Sequence, residues 1–340
     1  MKKARRRTRT EWFMAVVVIV LAGATGVLSP ATSSGQAFPS RPLEFVAHTS
    51  AGSGTDLFGR NVTQLLEKEK IFAQPITHSN RVGGLGTVAF NYIKSKRGDP
   101  HVILTVGTGS VLNAASRPEL ELPLSTYTPL AFFAQDPQAI AVRTESKIRT
   151  IPDLIEAAKR DPSGLSVGLT SAVGVGRFVL YLIERREPDV KFRIVSFKGG
   201  GDAVLATLGG HVEMTAENLS EMLPLYETKK MRVLAVTGER RFTRAPEVPT
   251  LKELGLNIIA ATGRGFAMPA GVPKEAAATM EAALKRVHAS PAYKEYAERN
   301  IFEDKYLGSA DFAEYLVQRR IEAEEFLRTI GVLKPGATGP

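Results

Sequence analysis

The chain has 340 residues, 44% apolar and 23% charged, with 30 glycines, 20 prolines and no cysteine. Ordinary hydrophobicity and charge exclude wholesale disorder, the length allows two modest cores, and the lack of cysteine excludes a disulfide framework, a thiolate metal site and a cysteine nucleophile. The formal charge of +9 is no nucleic-acid signal: residues 1–37 hold six of the 44 basic residues and one of the 35 acidic ones, so the rest carries only +4, with no long basic run interleaved with aromatics.

The basic stretch Lys2 to Arg9 precedes an apolar span from Trp12 to Leu28, and small residues follow up to Gly35-Gln36-Ala37. This order predicts a cleaved secretory signal peptide over 1–37, with an uncleaved anchor as the alternative; both export the remainder, to the periplasm. From Phe38 the chain repeats one unit: a short apolar run, a Gly/Ser/Thr-rich turn, then a helical period. The first is Leu43–Ala47, the turn His48 to Asp56, and a helix with Leu57, Phe58, Val62, Leu65 and Leu66 on one face, capped by Thr55 or Asp56. Pro75 to Asn80 with the turn Gly83-Gly84-Leu85-Gly86, and Val102–Val106 with Gly107 to Ser110, are the second and third.

After Ala131-Phe132-Phe133 and Ala139–Val142 the pattern restarts. Ile151–Leu154 opens a helix that ends near Asp161 to Gly164. Leu165–Leu169 leads into Thr170 to Gly176 and a helix from about Arg177, and Arg193–Phe197 leads into Lys198 to Asp202 and a helix over Ala203–Leu208. Val212–Ala216 runs up to Glu217-Asn218, and Val233–Thr237 is a further strand. Beyond Arg264–Pro269 the chain reads as helical: Lys274–His288, Pro291–Arg299 and Ala310 to about Thr329. Strands alternating with helices predict a two-lobed α/β protein with two mostly parallel sheets.

In such sheets the loops at the carboxyl ends of the strands gather on one edge, where ligands bind. Here they are rich in Gly, Ser and Thr, and each feeds a helix N-terminus with unpaired N–H groups and a positive dipole end, which suits an anion. The histidines at 48, 78, 101, 211 and 288 have no H-E-x-x-H spacing and no serine sits in a G-x-S-x-G elbow, so no metal, no cofactor and no catalytic residue is expected. Gly84-Leu85-Gly86-Thr87-Val88-Ala89 mimics a dinucleotide fingerprint but follows no clear hydrophobic strand. An exported hydrolase with dispersed Ser, His and Asp stays open as an alternative.

Phe38-Pro39-Ser40-Arg41-Pro42 and Ala51 to Asp56, then Asn80 to Gly86, Phe197 to Gly201, Leu208-Gly209-Gly210, Leu234–Thr237, Pro246 to Thr250 and Pro269 to Pro273, together resemble the periplasmic solute receptors of tripartite tricarboxylate transporters, the Bug family. The similarity spans essentially all of the chain after residue 37. It implies a Venus-flytrap receptor of the type II-like periplasmic-binding-protein class with two crossover strands, lobe 1 being 38–138 plus 259–340 and lobe 2 being 139–258. A small carboxylate ligand is then held between the lobes of a monomer that serves membrane permease subunits; presentation to a membrane kinase is the alternative role. The resemblance places ligand contacts at Thr49, Ser50, Ala51, Gly52, Ser53, Thr108, Ser110 and Asn113 in one lobe, and at Ser171, Val173, Gly174, Lys198 and Asn218 in the other.

Arg264 is the expected side-chain anchor, since a guanidinium grips a carboxylate with two parallel hydrogen bonds; an ion pair between lobes is the competing role. Arg177 opens a helix beside a glycine turn, and His48 ends a strand at the same edge. With Arg264, they tilt the expectation toward a ligand with more than one negative charge.

Overall fold

The computed structural model describes residues 38–117, 124–161 and 164–334, and the expected address segment over 1–37 lies outside them. Strand β1 (Leu43–Ala47) pairs in parallel with β2 (Ile76–Asn80) on one side and β3 (Val102–Val106) on the other. Alternate residues serve opposite faces: Leu43, Phe45 and Ile103 join one apolar cluster, while Val46, Val102 and Leu104 join another. Both faces are therefore covered, which is why these strands read as continuous apolar runs. The second parallel set is β5 (Ser166–Leu169) between β6 (Arg193–Ser196) and β7 (Met214–Asn218).

One strand joins the two sets. β4 (Tyr127–Arg143) is 17 residues long. Up to Pro137 it pairs antiparallel with β9 (Ala261–Pro269) and β10 (Glu303–Leu307), and from Gln138 it pairs antiparallel with β7 and β8 (Met231–Val236). The hydrogen-bonded path is thus one sheet of ten strands, bent between two lobes, rather than two separate sheets. The expectation of mostly parallel sheets needs correcting, because β4, β8, β9 and β10 all run antiparallel to their neighbours. An apolar run fixes burial but not direction, and Pro137 made the two halves of β4 read as separate segments. Proline is tolerated there because the pairing changes partners at that residue. The chain returns to the first set just before β9: Leu251, Leu256 and Ile258 pack in the second lobe's core, whereas Phe266 and Met268 pack in the first.

The helices are α1 (Gly54–Lys68), α2 (Thr87–Ser95), α3 (Thr108–Ala115), α4 (Ile151–Arg160), α5 (Val175–Arg186), α6 (Gly200–Leu208), α7 (Leu219–Glu227), α8 (Lys274–Ala289), α9 (Pro291–Arg299) and α10 (Ser309–Thr329). In α1, Phe58, Val62, Leu65 and Leu66 are buried as expected, but Leu57 is 53% exposed, and the cap is Ser53 rather than Thr55 or Asp56. β10, between α9 and α10, was not foreseen; its charged sequence Glu-Asp-Lys-Tyr-Leu carries no strand signal. The far end of α10 reaches α5, where Phe326 packs its ring 5.2 Å from Phe178 and 5.1 Å from Tyr181. Helix α4 begins with a capping box in which Thr150 Oγ1 accepts the Asp153 N–H and the Asp153 carboxylate accepts the Thr150 N–H. Thr150→Ala is expected to cost about 1 kcal/mol, read as a lower urea midpoint with unchanged slope.

Candidate functional site

Five helices start around one small cavity. It is lined by Ser53, Gly54 and Thr55 at the head of α1, Gly109 and Asn113 of α3, Gly174 to Gly176 at the head of α5, Gly199 and Gly200 at the head of α6, and Asn218 and Glu221 at the head of α7. Its volume is about 110 Å³. The caps Gly174, Gly199 and Asn218 give no side-chain hydrogen bond to their own helices, which leaves first-turn N–H groups for other acceptors. The positive ends of five dipoles therefore point into one volume.

The turns before α1 and α3 are held from behind. Gly52, with φ of +81°, gives its N–H to Asp56 Oδ2 at 2.9 Å, and Asn80 Nδ2 reaches Asp56 Oδ1 at 2.8 Å. Burial raises the Asp56 pKa, but the hydrogen bonds from Arg60, Gly52 and Asn80 outweigh it and leave the carboxyl below its ordinary value. At the head of α3, a β-carbon on Gly107 would meet the Gly263 carbonyl oxygen at 1.8 Å, so only glycine lets the chain leaving β3 pass β9 so closely.

Of the sixteen expected ligand residues, nine line the cavity: His48, Thr49, Ser53, Asn113, Ser171, Gly174, Lys198, Asn218 and Arg264. Seven do not line it. Ala51 and Gly52 are exposed on the outer turn, and Ser50 is half-buried next to Gly199 at the rim. Thr108 accepts the Gly263 N–H and meets Tyr315 Oη at 2.9 Å, while Ser110 closes the first turn of α3 onto Gly107. Val173 is core, packed with Val175, Tyr181 and Phe326. Arg177 pairs with Glu184 at 2.9 Å.

Arg264, 3% exposed, already has a partner: its Nη2 lies 2.5 Å from Asp136 Oδ2, and its Nη1 donates to Thr55 Oγ1 at 3.1 Å. Asp136 is fully buried and also accepts from Ser220 Oγ at 2.9 Å. Burial pushes its carboxyl above the ordinary range against the pull of Arg264. A chain of polar contacts continues to the cavity wall, with Asn218 Nδ2 donating to the Asp136 carbonyl, Thr262 Oγ1 to Asn218 Oδ1, and Gln138 Nε2 to Thr262 Oγ1. His48 stacks on Phe90, and burial takes its pKa down to about 4, with Arg264 adding repulsion, so the imidazole is neutral at pH 7. The sequence-based tilt toward a multiply charged anion therefore falls: Arg177 is elsewhere, Arg264 is neutralised, and His48 is uncharged.

The sequence reading missed Asp136, Gln138, Thr170, Thr262 and, above all, Glu217 and Glu221. Glu217, next to last in β7, accepts the Thr170 N–H. Glu221 stands three residues after the cap Asn218, a spacing that reads as an ordinary capping box, yet its carboxylate accepts the Gly54 N–H of another helix. Burial raises the pKa of Glu217 to about 8, with Glu221 adding repulsion, and raises that of Glu221 to about 7 against the attraction of Arg264. Among the described residues no group of three or more His, Cys, Asp or Glu has metal-holding geometry.

Residues 60–332 match the tripartite tricarboxylate transporter family receptor. The chain belongs to that family. As a tripartite tricarboxylate transporter receptor it is a solute-binding protein, not an enzyme. It is 27% identical over 327 residues to the UPF0065 protein in the gbd 5' region of Cupriavidus necator, covering 92% of this chain and 96% of that one. Protein BugT of Bordetella pertussis is 25% identical over 245 residues, covering 71% and 73% of the respective chains. Among solved structures, MatC from Rhodopseudomonas palustris with bound malate superposes with a TM-score of 0.76 at 21% identity, covering 85% of this receptor and all of MatC. A second R. palustris protein, with adipate, gives 0.79 at 22% identity, covering 86% and 98%. These likenesses identify the two-lobed Venus-flytrap fold of periplasmic binding proteins, with β4 and the passage into β9 as its crossovers.

Proposed function

We propose that this receptor works outside the cytoplasm, in the periplasm, where it captures a small organic carboxylate between its lobes and delivers it, as a monomer, to the membrane permease subunits of a tripartite transporter. The lobes in this reading are 38–138 with 259–340, and 139–258. The observation that carries it is the convergence of five helix N-termini on one cavity. The malate and adipate named with two structural relatives are of the same ligand class.

The energies are sufficient. Each charge-assisted hydrogen bond contributes roughly 1.5–3 kcal/mol, and micromolar affinity requires about 8 kcal/mol. Three to five donors from Ser53, Thr49, Ser171 and the first turns of α5 and α6 supply that, with burial of apolar ligand surface between the lobes offsetting part of the ordering and desolvation costs.

A thermal-shift panel of C3–C6 mono-, di- and tricarboxylates tests the proposal. A micromolar ligand at a hundredfold excess is expected to stabilise the fold by roughly 2.7 kcal/mol, several degrees in melting temperature. No shift with any carboxylate, together with silent calorimetry, refutes it.

A further inference from the structure

The cavity wall is not uniformly suited to an anion. Glu217 and Glu221 both line it, and Glu217 is only 6% exposed. They approach from the end of β7 and the first turn of α7 and converge on one point: a β-carbon placed on Gly200 would lie 1.9 Å from Glu221 Oε2 and 3.2 Å from Glu217 Oε2. Only a residue without a side chain leaves this corner open. Glu221 Oε2 is buried and has no hydrogen-bond partner among the described residues. Its other oxygen is turned to the Gly54 N–H. A buried carboxylate oxygen without a donor is costly, and the cost is relieved when a ligand brings one.

The charges around this corner indicate the kind of donor. Arg264 attracts Glu221 but is already tied to Asp136, Lys198 is exposed at the rim, and His48 is neutral, so three buried carboxyls at this corner share one buried guanidinium. Their raised pKa values express the same deficit. A dicarboxylate seated here would place its second charge against them.

We propose that the ligand carries a cationic nitrogen besides its carboxylate, with the carboxylate at the N-terminus of α5, whose cap Gly174 bonds no first-turn N–H, and the nitrogen between Glu217 and Glu221. This rests on the carboxylate-receptor reading and narrows its substrate class to amino acids and related zwitterions. An ammonium group offers three donors, enough for both glutamates.

Isothermal titration at pH 7.5 with matched pairs tests it: succinate against β-alanine, glutarate against 4-aminobutyrate, and malate against L-aspartate. At least one amine is expected to bind ten times more tightly than its partner, and Glu221→Gln or Glu217→Gln is expected to cut that preference at least tenfold, weakening the amine while the dicarboxylate binds as well as before or more tightly. Circular dichroism checks that each variant is folded, and the wild-type pairs decide without them. Dicarboxylates binding as well as or better than every amine, or a preference unmoved by both substitutions, overturns the zwitterion and leaves the carboxylate receptor standing. Equally tight binding of 1,4-diaminobutane overturns the carboxylate reading instead and keeps the glutamate subsite. Silence from every compound overturns both.

Discussion

Arg264→Ala is expected to destabilise the receptor by about 3–5 kcal/mol, because it leaves the fully buried Asp136 without its guanidinium. The loss of fold stability comes from the same residue that sequence reasoning singled out as a ligand anchor, so a binding defect in this variant has two sources. They separate in a double variant. Asp136→Asn with Arg264→Ala removes the orphaned charge, and is expected to recover more than half of the lost stability in urea titrations. Ligand affinity then reports what Arg264 itself contributes through its Nε, which has no partner among the described residues. A single variant that melts with the wild type would show that the pair is dispensable to the fold.

Stability of the ligand-free receptor is expected to fall by about 1–2 kcal/mol between pH 6.5 and 8, the loss from two retained glutamate protons being partly offset by the histidines with lowered pKa values. The sign follows from Glu217 and Glu221. Their folded pKa values, about 8 and about 7, lie above the ordinary 4.5, so over this window the folded state keeps protons that the unfolded chain has lost. Stability therefore decreases as pH rises and levels off above about 8. Below pH 6.5 the effect is masked. His48, His78 and His288 have lowered pKa values, so the unfolded chain takes up protons that the folded one refuses, and stability falls toward acid. Stability therefore peaks on the acid side of this window. Denaturant titrations at pH 6.5, 7.25 and 8 measure it, and Glu217→Gln is expected to flatten most of the decline. A flat wild-type profile would mean that the two carboxyls are solvated.

Much of the site was legible before the coordinates. The Gly/Ser/Thr turns at the ends of β1, β3, β5 and β6 announced helix starts on one edge, because glycine permits the turn and the chain can only re-enter a helix there. Thr49, Ser53, Ser171 and Gly174, which the family resemblance places in these turns, line the cavity. Val173 and Ser110 carry the same local signal but face the core and the first turn of α3, a difference of direction that composition does not encode.

The sequence by itself determined the alternation of strands and helices, the restart that makes two lobes, and the glycine turns that leave α5 and α6 without a side-chain cap. These follow from local periodicity and backbone sterics, which act within a few residues. Only the tertiary structure decided that β4 runs through both lobes, that Arg264 is neutralised by Asp136, and that Glu217 and Glu221 meet at Gly200. Those outcomes depend on residues 128 apart in one case and on separate elements in the other, brought together by burial. The charge of a buried group is set by whatever neighbours the fold gives it.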